Sequence, residues 1–154
     1  MSRIILPIAA LALAVTSCTK PEPQVDTKAI EAAAHGGYVA AINSNDTETL
    51  VAGLTDDVVY QAPGAPEVIG KEAVRAWVGG YFDAYQTKWE KTSLSFTVSG
   101  DWAFERYTYK AADTDRKTGA VTTDIGKGVN VFRRGSDGKW RVAIDSWSSD
   151  KPTQ

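Results

Sequence analysis

The sequence holds one cysteine and one histidine. Zinc sites are built from several such side chains, so the composition calls for no metal centre, and a lone cysteine excludes an intramolecular disulfide. Basic residues are not in excess either. The 17 Lys and Arg stand against 19 Asp and Glu, for a formal net charge of −2, with no basic block. A weakly acidic chain of this kind lacks the electrostatic footprint of a nucleic-acid binder. No internal repeat, low-complexity tract or cofactor motif is present. The one extended apolar run, Ile4 to Val15, is broken only by Pro7, and it falls well short of the roughly 20 residues that span a bilayer.

That short run reads as an address. Arg3 supplies a positive start, and Val15-Thr16-Ser17-Cys18 closes the run with small residues, the layout of an export signal. The closing residues resemble the lipobox of bacterial lipoproteins, with Val15 where leucine is commoner. The resemblance implies a signal peptide over 1–17 and lipidation of Cys18. It also implies an anchored tether over 18–25 and a protein of the bacterial cell envelope facing the periplasm or the cell surface. An ordinary secretory signal with a bystander cysteine is the alternative. Thr19 to Val25 is polar and holds two prolines, which suits a tether.

From Asp26 the pattern changes. Ile30, Ala34, Tyr38, Ala41 and Ile42 recur at the spacing of one helix face, with Asp26 or Thr27 as cap. Gly36-Gly37 weakens the middle of that helix, so a close neighbour is expected there. Asn45-Asp46-Thr47-Glu48 opens a short helix through Leu50, Val51 and Leu54. Val58 to Gln61 reads as a strand broken by Ala62-Pro63-Gly64. A third helix is expected from Glu72 to Trp89, with Val74, Trp77, Val78, Tyr81, Phe82 and Tyr85 on its apolar face. The remainder is β. Leu94, Phe96 and Val98 alternate with Ser and Thr, Trp102 to Ala111 is rich in aromatics, and a charged loop carries Asp113, Asp115, Arg116 and Lys117. A final hairpin turns at Gly135-Ser136-Asp137-Gly138, where the glycines offer positive φ. Helix, helix, strand, helix and meander predict one α+β domain over 26–150.

Tyr38 to Asp57, Val59-Tyr60, Gly70-Lys71-Glu72-Ala73-Val74 and the closing hairpin together resemble the NTF2-like superfamily. The likeness is strongest to its SnoaL-like and ketosteroid-isomerase-like branch and to the DUF4440 domain within it. The resemblance implies a cone in which N-terminal helices pack on a strongly bent antiparallel sheet around a pocket. The superfamily includes isomerases, polyketide cyclases, dehydratases and non-enzymatic carriers, so fold alone does not choose a function. In ketosteroid isomerases a helix tyrosine and a protonated strand aspartate stabilise the oxyanion while a second aspartate moves the proton. By resemblance the tyrosine falls on Tyr38, the neutral aspartate on Asn130 and the base on Ala62. Alanine cannot take a proton.

The substitute is Asp145. Asp145 and Trp147 lie two apart on the last strand and so share a face, the one that the resemblance turns towards the pocket together with Ala143. A half-buried carboxylate beside an indole suits a general acid or base, or else a structural acceptor for Tyr38. Tyr60, Trp77, Tyr81 and Trp147 are the candidate pocket wall, with ordinary core packing as the alternative for the first three. His35 reads as a solvated or capping residue, and Asp124 and Lys127 as surface charge. Only one of Glu105 and Arg106 can point inward. The apolar face formed by Trp140, Val142, Ile144, Val129 and Val131 is expected on the outside of the cone, covered by a second subunit. These readings describe an exported domain that binds a small, largely apolar ligand, with isomerase-, cyclase- or dehydratase-like chemistry. The alternative is a non-catalytic assembly or carrier module. Whether the protein is an enzyme stays open at this point.

Lipidation is directly testable. Radiolabelled palmitate is expected to enter the wild-type protein and not Cys18→Ser, and equal labelling of the two would sink the lipoprotein assignment.

Overall fold

The computed structural model describes residues 25–151. Cys18, the signal-like run and all of the tether except Val25 lie outside the described residues. Helix α1 (Thr27–Glu31) starts at Asp26, whose carboxylate accepts from the Ala29 amide at 3.0 Å. A π-helical turn over Ala32–Gly36 leads directly into α2 (Gly37–Asn43). The buried stripe of Ala34, Tyr38, Ala41 and Ile42 follows the sequence periodicity. The glycine pair does not mark a close neighbour, because a Cβ on Gly36 or Gly37 would meet nothing within 4 Å. The two glycines sit instead where the π turn passes into α2, and such a turn re-aims the side chains on either side of it.

Asp46 caps α3 (Thr47–Ala52), accepting from the Thr49 amide at 2.7 Å. Leu54 then opens β1 (Leu54–Gln61), which is longer than the Val58–Gln61 expected. After the two-residue β2 (Val68–Ile69), α4 (Lys71–Ala84) buries Val74, Val78 and Phe82. This helix ends five residues before Trp89. Tyr85 is already extended and begins β3 (Tyr85–Ser99). The apolar spacing runs on through Tyr85, but two asparagines hold the next residues as a strand edge. Asn45 accepts from the Thr87 amide and donates to its carbonyl, at 2.7 and 3.0 Å, and Asn43 does the same for Trp89, at 2.7 and 2.9 Å. Edge backbone that would otherwise stay unpaired is satisfied by side-chain amides.

Strands β4 (Trp102–Asp115), β5 (Val121–Arg134) and β6 (Trp140–Ser149) complete a sheet of order β2-β1-β6-β5-β4-β3. All pairs are antiparallel except β1 with β6, which is parallel, a departure from the fully antiparallel sheet expected. At the β5–β6 turn only Gly138 has a positive φ, 76°. The helices lie on the inner face, where Leu54, Val58, Val74 and Phe132 are among the most buried core residues.

Two bulges reset which face a residue takes. On β6, Val131 pairs with Ile144 but Phe132 pairs with Val142, so Ala143 is an extra residue. Val142 therefore turns inward and is 1% exposed, and Trp140 packs on the same core, which corrects the placement of both on the outer face. On β3 the register slips at Leu94, and Leu94 is exposed while Phe96 and Val98 pack on the core. Val129, Val131 and Ile144 keep the outward position.

Across the middle of the sheet, register sets Glu105 opposite Asn130, Asn130 opposite Asp145, and Asp145 opposite Tyr60. Directly paired residues share a face, so these four form one polar row on the inner side. Beside it, Tyr107 and Tyr109 pair with Gly128 and Gly126. A Cβ on Gly128 would lie 2.5 Å from the Tyr107 ring, and one on Gly126 would lie 2.7 Å from that of Tyr109. Glycine there lets both rings lie down across the strand. Among the described residues no helix is long and apolar enough to cross a membrane.

Candidate functional site

Asp145 is 5% exposed, and three donors converge on it. Tyr38 donates its hydroxyl to Oδ2 at 2.7 Å, Tyr107 donates to Oδ1 at 2.8 Å, and the Asn130 amide donates to Oδ1 at 2.6 Å. Tyr60 lies 2.7 Å from the Tyr38 oxygen. Since Tyr38 spends its proton on Asp145, Tyr60 is the donor of that pair, and the relay runs Tyr60 to Tyr38 to Asp145. Helix α2, strand β1 and strands β4 to β6 are thus tied at one carboxylate.

A second layer of charge lies behind this one. Lys91 donates to the Asn130 carbonyl oxygen at 2.6 Å, and its ammonium stands 3.5 Å from the centre of the Tyr107 ring. Glu105 is 1% exposed and points inward, while Arg106 is exposed, which settles the choice between them. Oε1 of Glu105 lies 2.5 Å from Nδ1 of His35, a close contact without hydrogen-bond alignment. His35 is therefore not a solvated or capping residue. The π turn aims it at a buried carboxylate one turn before Tyr38.

In front of Asp145 lies a cavity of about 300 Å³. Tyr38, Tyr60, Trp77, Tyr81, Trp89 and Trp147 line it, with Ile42, Leu50, Val78 and Phe82. Asn130 does not reach it. Fully buried, Asn130 holds Asp145 and Lys91 in place. Asp113 and Asp124 also face the cavity, farther along their strands, so neither is the loop or surface charge expected. Tyr81 and Thr87 donate to Asp113, each at 2.5 Å, and Tyr109 and Ser149 donate to Asp124 at 2.7 and 2.6 Å. Lys127 is on the surface, paired with Asp150. Ala62 leaves no carboxylate at the position next to Pro63, which lines the cavity. Among the described residues no three His, Cys, Asp or Glu side chains gather as a metal site.

Tyr107 and Lys91 were not singled out by sequence reasoning, Trp89 appeared there only as a helix end, and Asp113 and Asp124 only as loop and surface charge. For Tyr107 a signal was present in Gly126-Lys127-Gly128, because a glycine in a strand marks a close approach by another group.

Electrostatics follow burial. Burial first, and then the Asp145 charge, push the Tyr38, Tyr60 and Tyr107 hydroxyls well above the usual phenol range. Burial lowers the Lys91 ammonium, against the pull of Asp145 and Glu105. Burial opposes ionisation of Asp124, but the hydrogen bonds from Ser149 and Tyr109 outweigh it and hold the carboxyl below its ordinary value.

Helices on one face of a bent sheet, enclosing an aromatic cavity with a buried acid, define an NTF2-like domain. The sequence profile of the SnoaL-like domain matches residues 36–143, and the chain belongs to that family. The match takes in Tyr38, Tyr60 and Asn130 and stops just short of Asp145. A ketosteroid isomerase-like protein from Erwinia carotovora atroseptica superposes with a TM-score of 0.74 at 27% identity, covering 82% of this chain and 98% of its own. A candidate dehydratase of the NTF2-like family from Streptomyces avermitilis gives 0.73 at 19% identity, with coverage of 82% and 98%. An NTF2-like protein with a cystatin-like fold from Novosphingobium aromaticivorans gives 0.66 at 18%, with coverage of 83% and 84%. No curated protein matches the chain.

The raised tyrosines predict alkaline unfolding. Unfolded, these phenols ionise near pH 10 (about the reference value), whereas the folded state keeps their protons. Their contribution is complete below that pH and is lost as pH rises above it. Lys91 acts in the opposite sense, because its lowered folded pKa makes its contribution grow with pH up to the unfolded value, and one lysine is outweighed by the tyrosines. Melting temperatures are expected to hold to about pH 10 and then fall. Tyr107→Phe should show a shallower fall, and a profile parallel to wild type would contradict this account.

Proposed function

We propose that this protein is a small-molecule-binding member of the SnoaL-like family, with Asp145 as the acceptor that orients or deprotonates its ligand. The observation that carries the reading is the aromatic cavity of about 300 Å³ with a carboxylate at its buried end. That size is at the lower bound of typical ligand sites. The walls suit a small, largely apolar body. A proton leaving such a ligand can pass to Asp145 directly or through Tyr60 and Tyr38. The likeness to an isomerase-like protein and to a candidate dehydratase favours acid–base chemistry of that general kind. Ketosteroid-type isomerisation is not part of the proposal. Ala62 supplies no base, Tyr38 spends its proton on Asp145, and Asn130, which donates there too, does not line the cavity, so neither is free to meet an oxyanion.

Location and assembly complete the reading. We place the domain in the cell envelope through Cys18, as the palmitate experiment tests. We further propose a homodimer through the outer sheet face. Register aligns Phe104, Val131, Ile144, Val59 and Ile69 across the strands as one apolar stripe. Phe104 is 46% and Ile69 63% exposed. A stripe that crosses the sheet suits an isologous contact with a second copy. This observation also supports an assembly role for the domain, alongside ligand binding.

Asp145→Asn tests the chemistry. Its amide still accepts from Tyr107 and Asn130, while its NH₂ group can donate to Tyr38 once the Tyr38–Tyr60 relay reverses. The variant is therefore expected to fold, with a stability loss of about 1–3 kcal/mol. If Asp145 moves a proton, turnover on any substrate found should fall by about 10²–10⁴-fold. Ligand affinity and turnover both unchanged would refute the assignment, and retained binding without turnover in either protein would leave a carrier.

For the interface, full-length Cys18→Ser is expected to sediment as a dimer, and adding Phe104→Lys with Val131→Lys should give a folded monomer. A monomeric parent at high micromolar concentration would refute the dimer.

A further inference from the structure

The lining of the cavity is one-sided in charge. Among the described residues it carries the carboxylates of Asp113, Asp124 and Asp145 and no Lys, Arg or His. The nearest internal cation, Lys91, is held behind Asn130 and is not part of the wall. The hydroxyls there are also committed as donors. Tyr60 donates to Tyr38 and Tyr38 to Asp145, Tyr81 donates to Asp113, and Ser149 donates to Asp124. What remains on the oxygens is lone pairs. Apart from the tryptophan indoles, of which Trp89 keeps a buried Nε1–H without a partner, the polar part of the cavity offers acceptors and negative charge to whatever enters.

The apolar part is suited to the same partner. Tyr60, Trp77 and Trp147 stand in contact with their ring planes steeply inclined. The angles are 81° for Tyr60–Trp77, 88° for Tyr60–Trp147 and 67° for Trp77–Trp147, with centroids 5.9–6.3 Å apart. The three rings meet edge to face at a corner, and an ammonium group placed against a free face there is attracted by the ring quadrupole. A neutral hydrocarbon would fill the corner but leave the carboxylates facing an apolar surface. An anion would meet three like charges. An organic cation satisfies both parts of the wall.

We propose that the cavity selects an organic ammonium on a small apolar body, its charge seated against the Trp77–Trp147 corner and balanced by the cavity carboxylates. This inference rests on the reading of the cavity as a ligand site and specifies the chemical class of that ligand.

A matched series separates the two claims. 2-Phenylethylamine, 2-phenylethanol and phenylacetate share one aromatic body and differ in carrying positive, zero and negative charge at neutral pH. Titrated calorimetrically into the full-length protein, the amine is expected to bind about tenfold more tightly than the alcohol, and phenylacetate should show no binding. Trp77→Leu and Asp124→Asn should each weaken the amine several-fold more than they weaken the alcohol. Equal or tighter binding of the alcohol, or binding of phenylacetate, overturns the cation preference and leaves the ligand-site reading intact. Absence of binding by all three at millimolar concentration overturns both.

Discussion

Everything in this domain is arranged around a carboxylate that has been removed from water. Burying an ionised acid costs several kcal/mol (an effective figure of this order) unless it is paired and hydrogen-bonded. Asp145 meets that cost with Tyr38, Tyr107 and Asn130, from a helix and two different strands. The position of α2, the Tyr107 ring laid over Gly128 and the placement of Lys91 all serve the same requirement. The second buried acid, Glu105, is in turn faced by His35. The inner face is therefore a layer of buried polar and ionisable groups, in which Asp145 has three donors and Lys91 is tied to it through Asn130.

Function follows from how the donors are spent. In an oxyanion site, donors point at the place where the substrate's charge will develop. Here the equivalent tyrosine and amide are turned towards a carboxylate of the protein itself. The positions that by resemblance would hold donors for a ligand here support an acceptor. This inversion explains how a chain with alanine in the base position can still present a proton acceptor, now on the last strand instead of beside Pro63. It also makes the cavity electronegative, with Asp113 and Asp124 reinforcing the effect farther along the same strands.

Much of the scaffold is legible in the sequence, because it rests on local rules. The caps at Asp26 and Asp46 and the Gly138 turn follow from residue type, and the buried stripe from Ala34 to Ile42 follows from spacing. The pairing of Asp145 with Trp147 on one face follows from strand periodicity. What was not legible depends on register. The end of α4 is hidden because helical spacing continues through Tyr85, and only Asn43 and Asn45, some 40 residues away, reveal the strand edge. Val142 turns inward through an extra residue at Ala143 that alternation cannot anticipate. Asp113 and Asp124 look like loop charges until strand lengths are known. His35 was misjudged because a π turn, invisible to a 3.6-residue period, redirects it.

The same register links the two faces of the sheet. Phe104 precedes Glu105, Asn130 precedes Val131, Ile144 precedes Asp145 and Val59 precedes Tyr60. Each member of the inner polar row is thus the chain neighbour of a member of the outer apolar stripe, one peptide away on the opposite side. Side chains alternate across a strand, so a surface that fixes the outer residues also fixes the pleat that aims the inner ones. Water on the outer stripe would leave central strands supported from one side only, at the row where three donors must stay within hydrogen-bond reach of one carboxylate. A second copy seated on the stripe would hold that row from behind. The proposed dimer and the proposed ligand site thus share a single cross-sheet register, and such an outer contact would keep Asp145 and its donors in place.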